Sequence, residues 1–376
     1  MHLARDDAVR RPEPLRRSLA WLSAVLCLAL SGLYLLRPLN VDPITVWPFW
    51  FWAVIGLALA PFTLRRCRPA VGVLPLILWA LAVVTIAEEP VSMLRLVLPA
   101  YREVPAPAPG ETRLKVVSLN CDAGHLAAVE DALARDPDLL LLQEAPSRHK
   151  LEQLLADRPH YSMVTGADCA VITRGVQREL PEAALVSRCA AASEVRLDKA
   201  PMVRMVVVSI HLLQPVLRYD IWNPTTWREG SGRHKARLEW LRPVAEVVRA
   251  HAAHTPVLLG GDFNTPGGDS ILRTLSPPLR DAHKDAGSGW PNTFMSHLPL
   301  SRIDQLWLSP CYEALSLKTR KTEHSDHRMI EGVLRLKVVA VDMGGRVVRR
   351  SGGPGGDAGQ TAEVVCCNGR SAWEDL

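Results

Sequence analysis

Several patterns that would mark common kinds of binding site are missing from this chain of 376 residues. Its eight cysteines contain no C-x-x-C pair and no Cys/His pattern with zinc-site spacing, which argues against a metal site built on sulfur. The formal net charge is +5, but no dense stripe of lysine and arginine is present, as duplex nucleic acid would require. No C-a-a-X sequence stands at the C-terminus, so lipidation has no support.

Apolar residues are concentrated instead in three runs near the start of the sequence. The runs are Leu19 to Leu36, Trp47 to Leu64 and Ala70 to Ala87. Each has about the 18 residues that a transmembrane helix needs. The sequence therefore predicts three transmembrane helices, at residues 19–36, 47–64 and 70–87, within a membrane anchor formed by residues 1–98.

The first run has a second interpretation, as a cleaved signal peptide. Arg16-Arg17-Ser18-Leu19 resembles a twin-arginine signal. However, a secretory signal would normally be shorter than this run, and two more apolar runs come next. The anchor is therefore the favoured interpretation.

The arginines around these runs predict the orientation of the chain in a membrane. Five arginines precede the first run and three lie between the second and third, whereas the first loop balances Arg37 with Asp42. Because positively charged loops stay in the cytoplasm, we expect the amino terminus there and the chain after Glu88 outside. The prediction is a multi-pass protein of the cell membrane with an extracytoplasmic domain.

Composition divides the remainder into three parts. Residues 99–112 are rich in proline and read as an extended linker. Residues 113–337 alternate short apolar strands with helical patterns, which predicts one mixed α/β domain. Residues 338–376 are rich in glycine and predict a disordered tail.

Outside the cytoplasm, Cys169 and Cys189 could form a disulfide, with free buried thiols as the alternative.

The predicted strands of the α/β domain repeatedly end in polar residues. In Gly260-Gly261-Asp262-Phe263-Asn264, an apolar strand ends in a carboxylate and an amide two residues apart, which point the same way on an extended chain. Such a pair can orient a water that attacks phosphorus, whereas the alternative is an ordinary turn. Polar residues at other strand ends are Asn120, Gln143, Glu144, His211, Asp304, Ser325, Asp326 and His327.

This ordered series resembles the endonuclease/exonuclease/phosphatase, or DNase I-like, superfamily over residues 113–337. Members include DNase I-like nucleases, inositol polyphosphate phosphatases and neutral sphingomyelinases. The resemblance implies an α/β fold, a four-layer sandwich of two mixed β-sheets flanked by helices. It also implies hydrolysis of a phosphoester with a divalent metal, Mg²⁺ or alternatively Mn²⁺.

The resemblance also implies roles for individual residues. The catalytic positions correspond to His211, Asp262, Asn264, Asp304 and His327. The metal positions correspond to Glu144, Asp326 and Asn120. Asn120, Arg237 and Thr293 match positions that steady the site or contact phosphate. Which group acts as the formal base stays open.

The segment Gln214 to Gly232 follows His211 directly and contains Trp222 and Trp227, which we interpret as substrate-binding residues. Exposed tryptophans suit a membrane interface, and they also suit stacking on the bases of a single strand. A small apolar cluster under a long loop is the third interpretation.

These observations favour a hydrolase of a membrane lipid or lipid-linked (pyro)phosphate. The predicted architecture also resembles bacterial membrane proteins of the VanJ type. The alternatives are an anchored extracytoplasmic nuclease, with nucleic acid as partner, and a surface binding module without catalysis. No protein partner is inferred.

Overall fold

The structure is a computed structural model that describes residues 13–59, 69–341 and 363–366. In this part of the chain, an N-terminal helical region precedes an α/β domain. The helices of the N-terminal region are α1 (Glu13–Leu36), α2 (Asp42–Thr45), α3 (Phe49–Ala58), α4 (Pro69–Ile86), α5 (Glu89–Val97) and α6 (Pro99–Arg102).

The long N-terminal helices pack around one aromatic side chain. Trp79 of α4 is fully buried, and its indole N–H donates to Ser23 Oγ of α1 at 3.1 Å. Gly56 of α3 lies against the same ring, where a Cβ would come within 2.1 Å of Trp79. The absence of a side chain at Gly56 therefore lets α3 approach α4 closely.

The structure corrects the prediction of three straight transmembrane helices. Among the described residues, only Arg17–Leu36 is a single helix long and apolar enough to cross a membrane. The helix α3 is ten residues long, and residues 60–64 of the predicted second span lie outside the described part. The helix α4 passes the same test only together with α5, from which it is bent by 73°. Pro90 in the first turn of α5 explains this break, because proline has no N–H to donate to the carbonyl of Ile86, the last residue of α4.

Eleven strands form the sheet of the α/β domain. They are β1 (Arg113–Asn120), β2 (Leu139–Gln143), β3 (Tyr161–Gly166), β4 (Cys169–Glu179), β5 (Ala190–Leu197), β6 (Ala200–His211), β7 (Val257–Asp262), β8 (Arg280–Asp281), β9 (Asp304–Leu308), β10 (Tyr312–Arg320) and β11 (Met329–Leu336). Their order is β10-β11-β1-β2-β4-β5-β6-β7-β9-β8, and β3 pairs with β4.

The two predicted mixed sheets are two halves of one curled sheet, joined by β4. The first part of β4 pairs with β2, and the part from Gly175 to Glu179 pairs with β5. Gly175 has a φ of +140°, and a Cβ there would lie 2.3 Å from the carbonyl oxygen of Arg196. Glycine is required at this position because only glycine tolerates both the conformation and the close approach.

Helices cover the outer faces of the two halves. They are α7 (Leu126–Leu133), α8 (Arg148–Leu155), α9 (Ala183–Val186) and α10 (Pro224–Ala252), whereas α11 (Ala282–Ala286) contributes Ala282 to the core between the halves. Between the halves, Leu141, Met205 and Leu306 share one buried core. Outside them, α7 and α8 pack on one half, and α10 packs on the other through residues such as Leu241. The four layers implied by the resemblance are therefore present.

Strand register brings the polar strand ends to one place. In the parallel pair of β1 and β2, Asn120 lies opposite Gln143. In the parallel pair of β6 and β7, His211 lies opposite Asp262. The antiparallel strand β9 places Asp304 opposite Asp262 from the other side. Because parallel strands end at the same edge, their terminal side chains can share one target.

The N-terminal region contacts the α/β domain through charged groups that precede the predicted linker. Arg302 donates to both oxygens of Glu88, at 2.6 and 2.9 Å, and also to Asp281 at 2.7 Å. Ser92 Oγ donates to the carbonyl of Gly289 at 2.6 Å. These contacts attach the domain to the end of α4 and the start of α5.

Two smaller predictions concern the cysteines and the tail. Cys169 and Cys189 are both buried free thiols, with Cys169 Sγ 3.8 Å from the carbonyl of Cys189, so they form no disulfide. Most of the predicted disordered tail lies outside the described residues. Its two described parts, β12 (Val338–Val341) and β13 (Glu363–Cys366), pair as antiparallel strands.

The Glu88–Arg302 pair predicts an effect on stability that depends on pH. Burial opposes ionisation of Glu88, but Arg302 outweighs it and lowers the pKa from its ordinary 4.5 to about 2. Glu88→Gln should therefore lower the free energy of unfolding by about 1–3 kcal/mol at neutral pH. Because the folded pKa is depressed, this difference from the wild type should be complete above pH 4.5 and shrink towards pH 2.

Thermal unfolding of the full chain in detergent at a series of pH values measures this difference. The neighbouring Glu89→Gln is the matched control, since burial raises the pKa of Glu89 and no arginine pairs with it among the described residues. Equal destabilisation by both variants would show that the Arg302 pair contributes nothing particular.

Candidate active site

The turn after β7 holds Asp262 and Asn264 rigidly in place. Gly261 has a φ of +140°, and a Cβ there would lie 2.1 Å from the carbonyl oxygen of Ile210. The backbone N–H of Asn264 donates to Asp262 Oδ1 at 2.8 Å, and its side-chain amide donates to the carbonyl of Leu212 at 2.9 Å. Asp262 is 1% exposed, so its carboxylate is buried at the end of the strand.

His327 is oriented by a second carboxylate. Its Nδ1 lies 2.8 Å from Asp304 Oδ2, and its Nε2 lies 3.9 Å from Asp262 Oδ2. Burial lowers the pKa of His327, but Asp304 and then Asp262 outweigh that effect and raise it to about 10. The ring is therefore an imidazolium at neutral pH, with one N–H held by Asp304 and the other nitrogen facing the site.

His211 approaches Asp262 from the other side. Its Nε2 is buried without a hydrogen-bond partner among the described residues, 3.7 Å from Asp262 Oδ2 and 3.9 Å from Glu144 Oε1. Its Nδ1 lies 2.6 Å from Asp168 Oδ2. Burial lowers the pKa of His211, but Asp168 and Asp262 raise it to about 9.

Asp168 is the residue that the sequence analysis missed. It lies in the turn between β3 and β4, after Ala167 with a φ of +50°, where an aspartate reads as an ordinary turn residue. Only the pairing of distant strands brings it to His211, so no local pattern could have indicated its role.

Asn120 and Glu144 complete the site from the other half of the sheet. The amide of Asn120 donates to Glu144 Oε1 at 3.2 Å and to Asp262 Oδ2 at 3.1 Å. Glu144 has a φ of +45°, and its Oε2 accepts from the backbone N–H of Ala123 at 2.7 Å. The structure therefore brings together Asn120, Glu144, His211, Asp262, Asn264, Asp304, Asp326 and His327.

The acidic residues at this end suit a hard divalent cation. Burial raises the pKa of Asp326, and the nearby carboxylates of Asp122 and Glu144 raise it further, although His327 opposes them. No lysine or arginine of the described residues forms an ion pair with any of these three carboxylates. Carboxylates are oxygen ligands of the kind that Mg²⁺ takes. Glu144 and Asp326 therefore fit the metal that the resemblance implies. Asn120, the third predicted ligand, instead turns its NH2 group to Glu144, and its Oδ1 accepts the backbone N–H of Asp122 at 3.0 Å.

A second acidic group could hold a cation by geometry alone, namely Asp262, Asp304 and His327. Here Asp304 already holds the Nδ1 of His327 at 2.8 Å, so this ring has only its Nε2 left for a cation.

Two residues that were predicted to contact the substrate, Arg237 and Thr293, are buried. Arg237 is fully buried on α10, and its guanidinium donates to Asp42 Oδ1 of α2 at 2.8 Å, so it joins the N-terminal region to the domain. Thr293 is also fully buried, and its hydroxyl accepts the backbone N–H of Asp304 at 3.2 Å. Thr293 therefore positions Asp304, and the structure gives neither residue a surface to offer a substrate.

The two predicted tryptophans differ from each other. Trp222 is 79% exposed, just before α10 begins. Trp227 is half-buried within α10, and its indole N–H donates to the carbonyl of Ile221 at 2.6 Å. Trp222 is therefore free to make contacts, whereas Trp227 stabilises the turn that presents it.

The ionisation of Asp262 depends on the charged groups that surround it in the site. Burial and Asp304 raise its pKa from an ordinary 3.8 to about 6, while His327 and His211 lower it. A carboxylate of this pKa can accept a proton near neutral pH, and the two imidazolium rings beside it can stabilise negative charge. The arrangement suits attack by a water on an anionic ester.

The Asp168 contact predicts the ionisation of His211. Asp168→Asn removes the charge that favours the imidazolium, so the pKa of His211 should fall from about 9. NMR titration of the metal-free protein with labelled histidine measures this shift. Glu182→Gln, which removes a carboxylate 3.5 Å from the distant His251, is the control. An unchanged His211 pKa in Asp168→Asn would show that Asp262 and Glu144 alone fix it.

Solved structures of low sequence identity resemble the chain. An endonuclease/exonuclease/phosphatase from Bacteroides vulgatus has 15% identity and a TM-score of 0.46, over 60% of this chain and 99% of that chain. A mannosyl-6-phosphatase from Bacteroides thetaiotaomicron has 16% identity and a TM-score of 0.41, over 59% and 99%. D. rerio TDP2, complexed with a single-strand DNA product, has 16% identity and a TM-score of 0.43, over 59% and 99%.

Comparison of the sequence with other proteins decides the family more clearly than the solved structures do. No curated protein matches the chain at a significant level. The profile of the Endonuclease/Exonuclease/phosphatase family matches residues 117–327, which is more than half of the chain and runs from β1 to His327. The chain therefore belongs to the Endonuclease/Exonuclease/phosphatase family.

Proposed function

We propose that the protein is a membrane-associated, metal-dependent phosphoester hydrolase that acts outside the cytoplasm on a lipid or lipid-linked phosphate. The observation that carries the hydrolytic part is the position of Asp262. Its buried carboxylate lies 3.7 Å from His211 Nε2 and 3.9 Å from His327 Nε2. Family membership supports phosphoester chemistry. The surroundings of the site support a lipid as the substrate.

In this mechanism Asp262 accepts the proton of the attacking water. Its raised pKa of about 6 makes the carboxylate basic enough for that step. The amide of Asn264, 3.3 Å from Asp262 Oδ2, keeps the carboxylate oriented. The imidazolium rings of His327 and His211 donate hydrogen bonds to the phosphoryl oxygens as negative charge develops.

Glu144 and Asp326 would hold the divalent metal. When bound, such an ion neutralises charge on the phosphoryl oxygens and helps to orient them. Asn120 links the metal end of the site to the proton-accepting end, because its amide bonds both Glu144 and Asp262. Thr293 acts one step further back, through the backbone of Asp304.

Membrane association is supported by apolar side chains that the fold leaves exposed. On α1 they include Leu22, Val25 and Leu28. On α5, Leu94 and Val97 are exposed, whereas Ser92 bonds the α/β domain. A contiguous apolar surface of this kind is costly in water and is typical of a membrane contact. The bent α5 would then lie in the plane of the interface.

The lipid substrate is supported by the aromatic segment before α10. Tyr219 and Trp222 are largely exposed there. Further along α10, Gly230 packs against Pro43 of the N-terminal region, where a Cβ would come within 2.9 Å. The helix α10 that follows these rings therefore contacts the N-terminal region, and exposed aromatic side chains favour the headgroup level of a membrane. The five arginines before the first apolar run support a cytoplasmic amino terminus, and one crossing by α1 would then put the domain outside the cytoplasm.

An anchored nuclease is the second candidate. The same exposed Tyr219 and Trp222 could stack on the bases of a single strand. A binding module without catalysis is less well supported, since every catalytic position of the resemblance is occupied by the expected residue type.

The decisive experiment offers the full-length protein two substrates with Mg²⁺, a polyprenyl pyrophosphate in micelles and plasmid DNA. We expect phosphate release from the lipid and a loss of about 10²–10⁴-fold in Asp262→Asn, because the proton acceptor is removed. Asp198→Asn, at an exposed position outside the site, is the matched control and should keep full activity.

Each other outcome contradicts part of this proposal. Nicking of DNA alone would establish the nuclease. Hydrolysis that survives in Asp262→Asn would remove Asp262 from the mechanism. Full activity after chelation with EDTA would contradict the metal requirement.

The aromatic segment predicts a difference between substrates. Trp222→Ala should slow hydrolysis of a micellar substrate by several-fold and leave a small soluble phosphodiester unaffected, because the ring contacts the interface and not the reacting group. The rates on the two substrates measure the effect. Leu185→Ala, which also removes an exposed apolar side chain, serves as the control. Equal losses on both substrates would mean that Trp222 supports the fold.

A further inference from the structure

A cavity of about 350 Å³ lies between the N-terminal helices and the α/β domain, and we call it the interface cavity. One wall comes from the end of α1 and from α4 and α5. The opposite wall comes from the loop Gly267–Gly268 and from His283 and Lys284. None of the catalytic residues described above lines it, so it is separate from the active site.

Arg37 is the group that makes this cavity unusual. It follows α1 directly, with a φ of +41°, and is only 7% exposed. Its Nε donates to the carbonyl of Tyr34 at 3.2 Å, but its Nη1 is buried without a hydrogen-bond partner among the described residues. A buried guanidinium N–H without a partner is costly, which indicates that a ligand of the opposite charge completes it.

The two other cationic side chains of the cavity, Arg95 and Lys284, also form no ion pair with a carboxylate of the described residues. Arg95 of α5 donates only to backbone carbonyls, those of His283 at 3.1 Å, Lys284 at 2.7 Å and Gly287 at 3.4 Å. Lys284 is exposed and forms no ion pair within the described residues. Three side chains of the lining therefore carry positive charge that is not neutralised locally.

The acidic and titratable groups nearby do not cancel this charge. Glu88 lines the cavity, but both of its oxygens are held by Arg302. Asp269 forms no ion pair with Arg37 but offsets part of its charge, since Arg37 helps to lower the pKa of Asp269; the Oδ1 of Asp269 is bound to His234 Nε2 at 2.8 Å. Burial and Arg302 lower the pKa of His283 to about 4, so that ring is neutral. The cavity is therefore suited to an anion.

The remaining lining is apolar. Leu35 of α1, Val84 and Ile86 of α4, and Val91 of α5 form this side. It is continuous with the exposed Leu94 and Val97 of α5, the face that would meet the membrane. A basic pocket next to an apolar surface at the level of the headgroups matches a phospholipid more closely than a soluble anion.

We infer that the interface cavity binds the phosphate-bearing headgroup of an anionic membrane phospholipid, with Arg37, Arg95 and Lys284 around the phosphate. The volume is within the range of small-ligand sites. The acyl chains would lie along the apolar lining of α4 and α5. This inference rests on the membrane association proposed above, but it concerns a bound lipid that is not the substrate.

The bound headgroup would connect three parts of the protein. It would join the end of α1, the last turn of α5 and α11, beside the loop Gly267–Gly268, which follows Asn264 by three residues. An anionic lipid would therefore stabilise the contact between the N-terminal helices and the domain.

The test measures lipid retention by the full-length protein in nanodiscs of phosphatidylglycerol and phosphatidylcholine. All variants carry Asp262→Asn, so that hydrolysis cannot remove the lipid. Native mass spectrometry of the released protein then counts the phospholipid that stays bound. We expect preferential retention of phosphatidylglycerol, and a loss of about tenfold in Arg37→Gln, because a charge-assisted contact is removed.

Two further variants keep the test decisive. Arg242→Gln, at an exposed arginine of α10, is the matched control and should retain the lipid. If Arg37→Gln fails to fold, Lys284→Gln at the exposed rim should still lower retention by a smaller factor.

The inference would be overturned if Arg37→Gln retained as much phosphatidylglycerol as the protein without that substitution. If Arg37→Gln does not fold, the same result in Lys284→Gln would overturn it. Equal retention of phosphatidylglycerol and phosphatidylcholine would also overturn it. Failure of the hydrolase proposal would appear separately, as activity that survives Asp262→Asn with lipid retention unchanged.

Discussion

The site depends on the burial of one carboxylate among groups that compensate its charge. An isolated buried carboxylate costs several kcal/mol, so Asp262 is stable only because donors surround it. Hydrogen bonds to the carboxylate come from Asn264 and Asn120. Positively charged N–H groups face it from His211 at 3.7 Å and His327 at 3.9 Å. The pairing register of four strands therefore determines whether the carboxylate is charged, and with it the chemistry of the site.

Much of this site could be predicted because its residues stand at strand ends. Asn120, His211 and Asp262 each close a strand whose apolar residues mark it in the sequence, and parallel pairing then brings such ends together. The same alternation of strands and helices predicts a mixed α/β domain, whereas the four layers were implied only by the family resemblance. The resemblance supplied what local patterns lack, namely the roles of the individual side chains.

The remaining errors have one physical origin, the packing of segments far apart in sequence. Arg237 looked free for a substrate, but Asp42, almost two hundred residues earlier, binds it. Asp168 looked like a turn residue, yet it orients His211. The run after Ala70 looked like a straight span, but Pro90 and the pairing of Glu88 with Arg302 turn the chain where the domain begins. None of these partners can be read from a local window.

The continuity of the sheet through β4 has a mechanical consequence for catalysis. Asn120, Glu144 and His327 belong to one half of the sheet, whereas His211, Asp262 and Asp304 belong to the other. The two halves also bury the shared core of Leu141, Met205 and Leu306, so they cannot open about β4 without exposing these side chains to water. The distances between the reacting groups are therefore set when the chain folds.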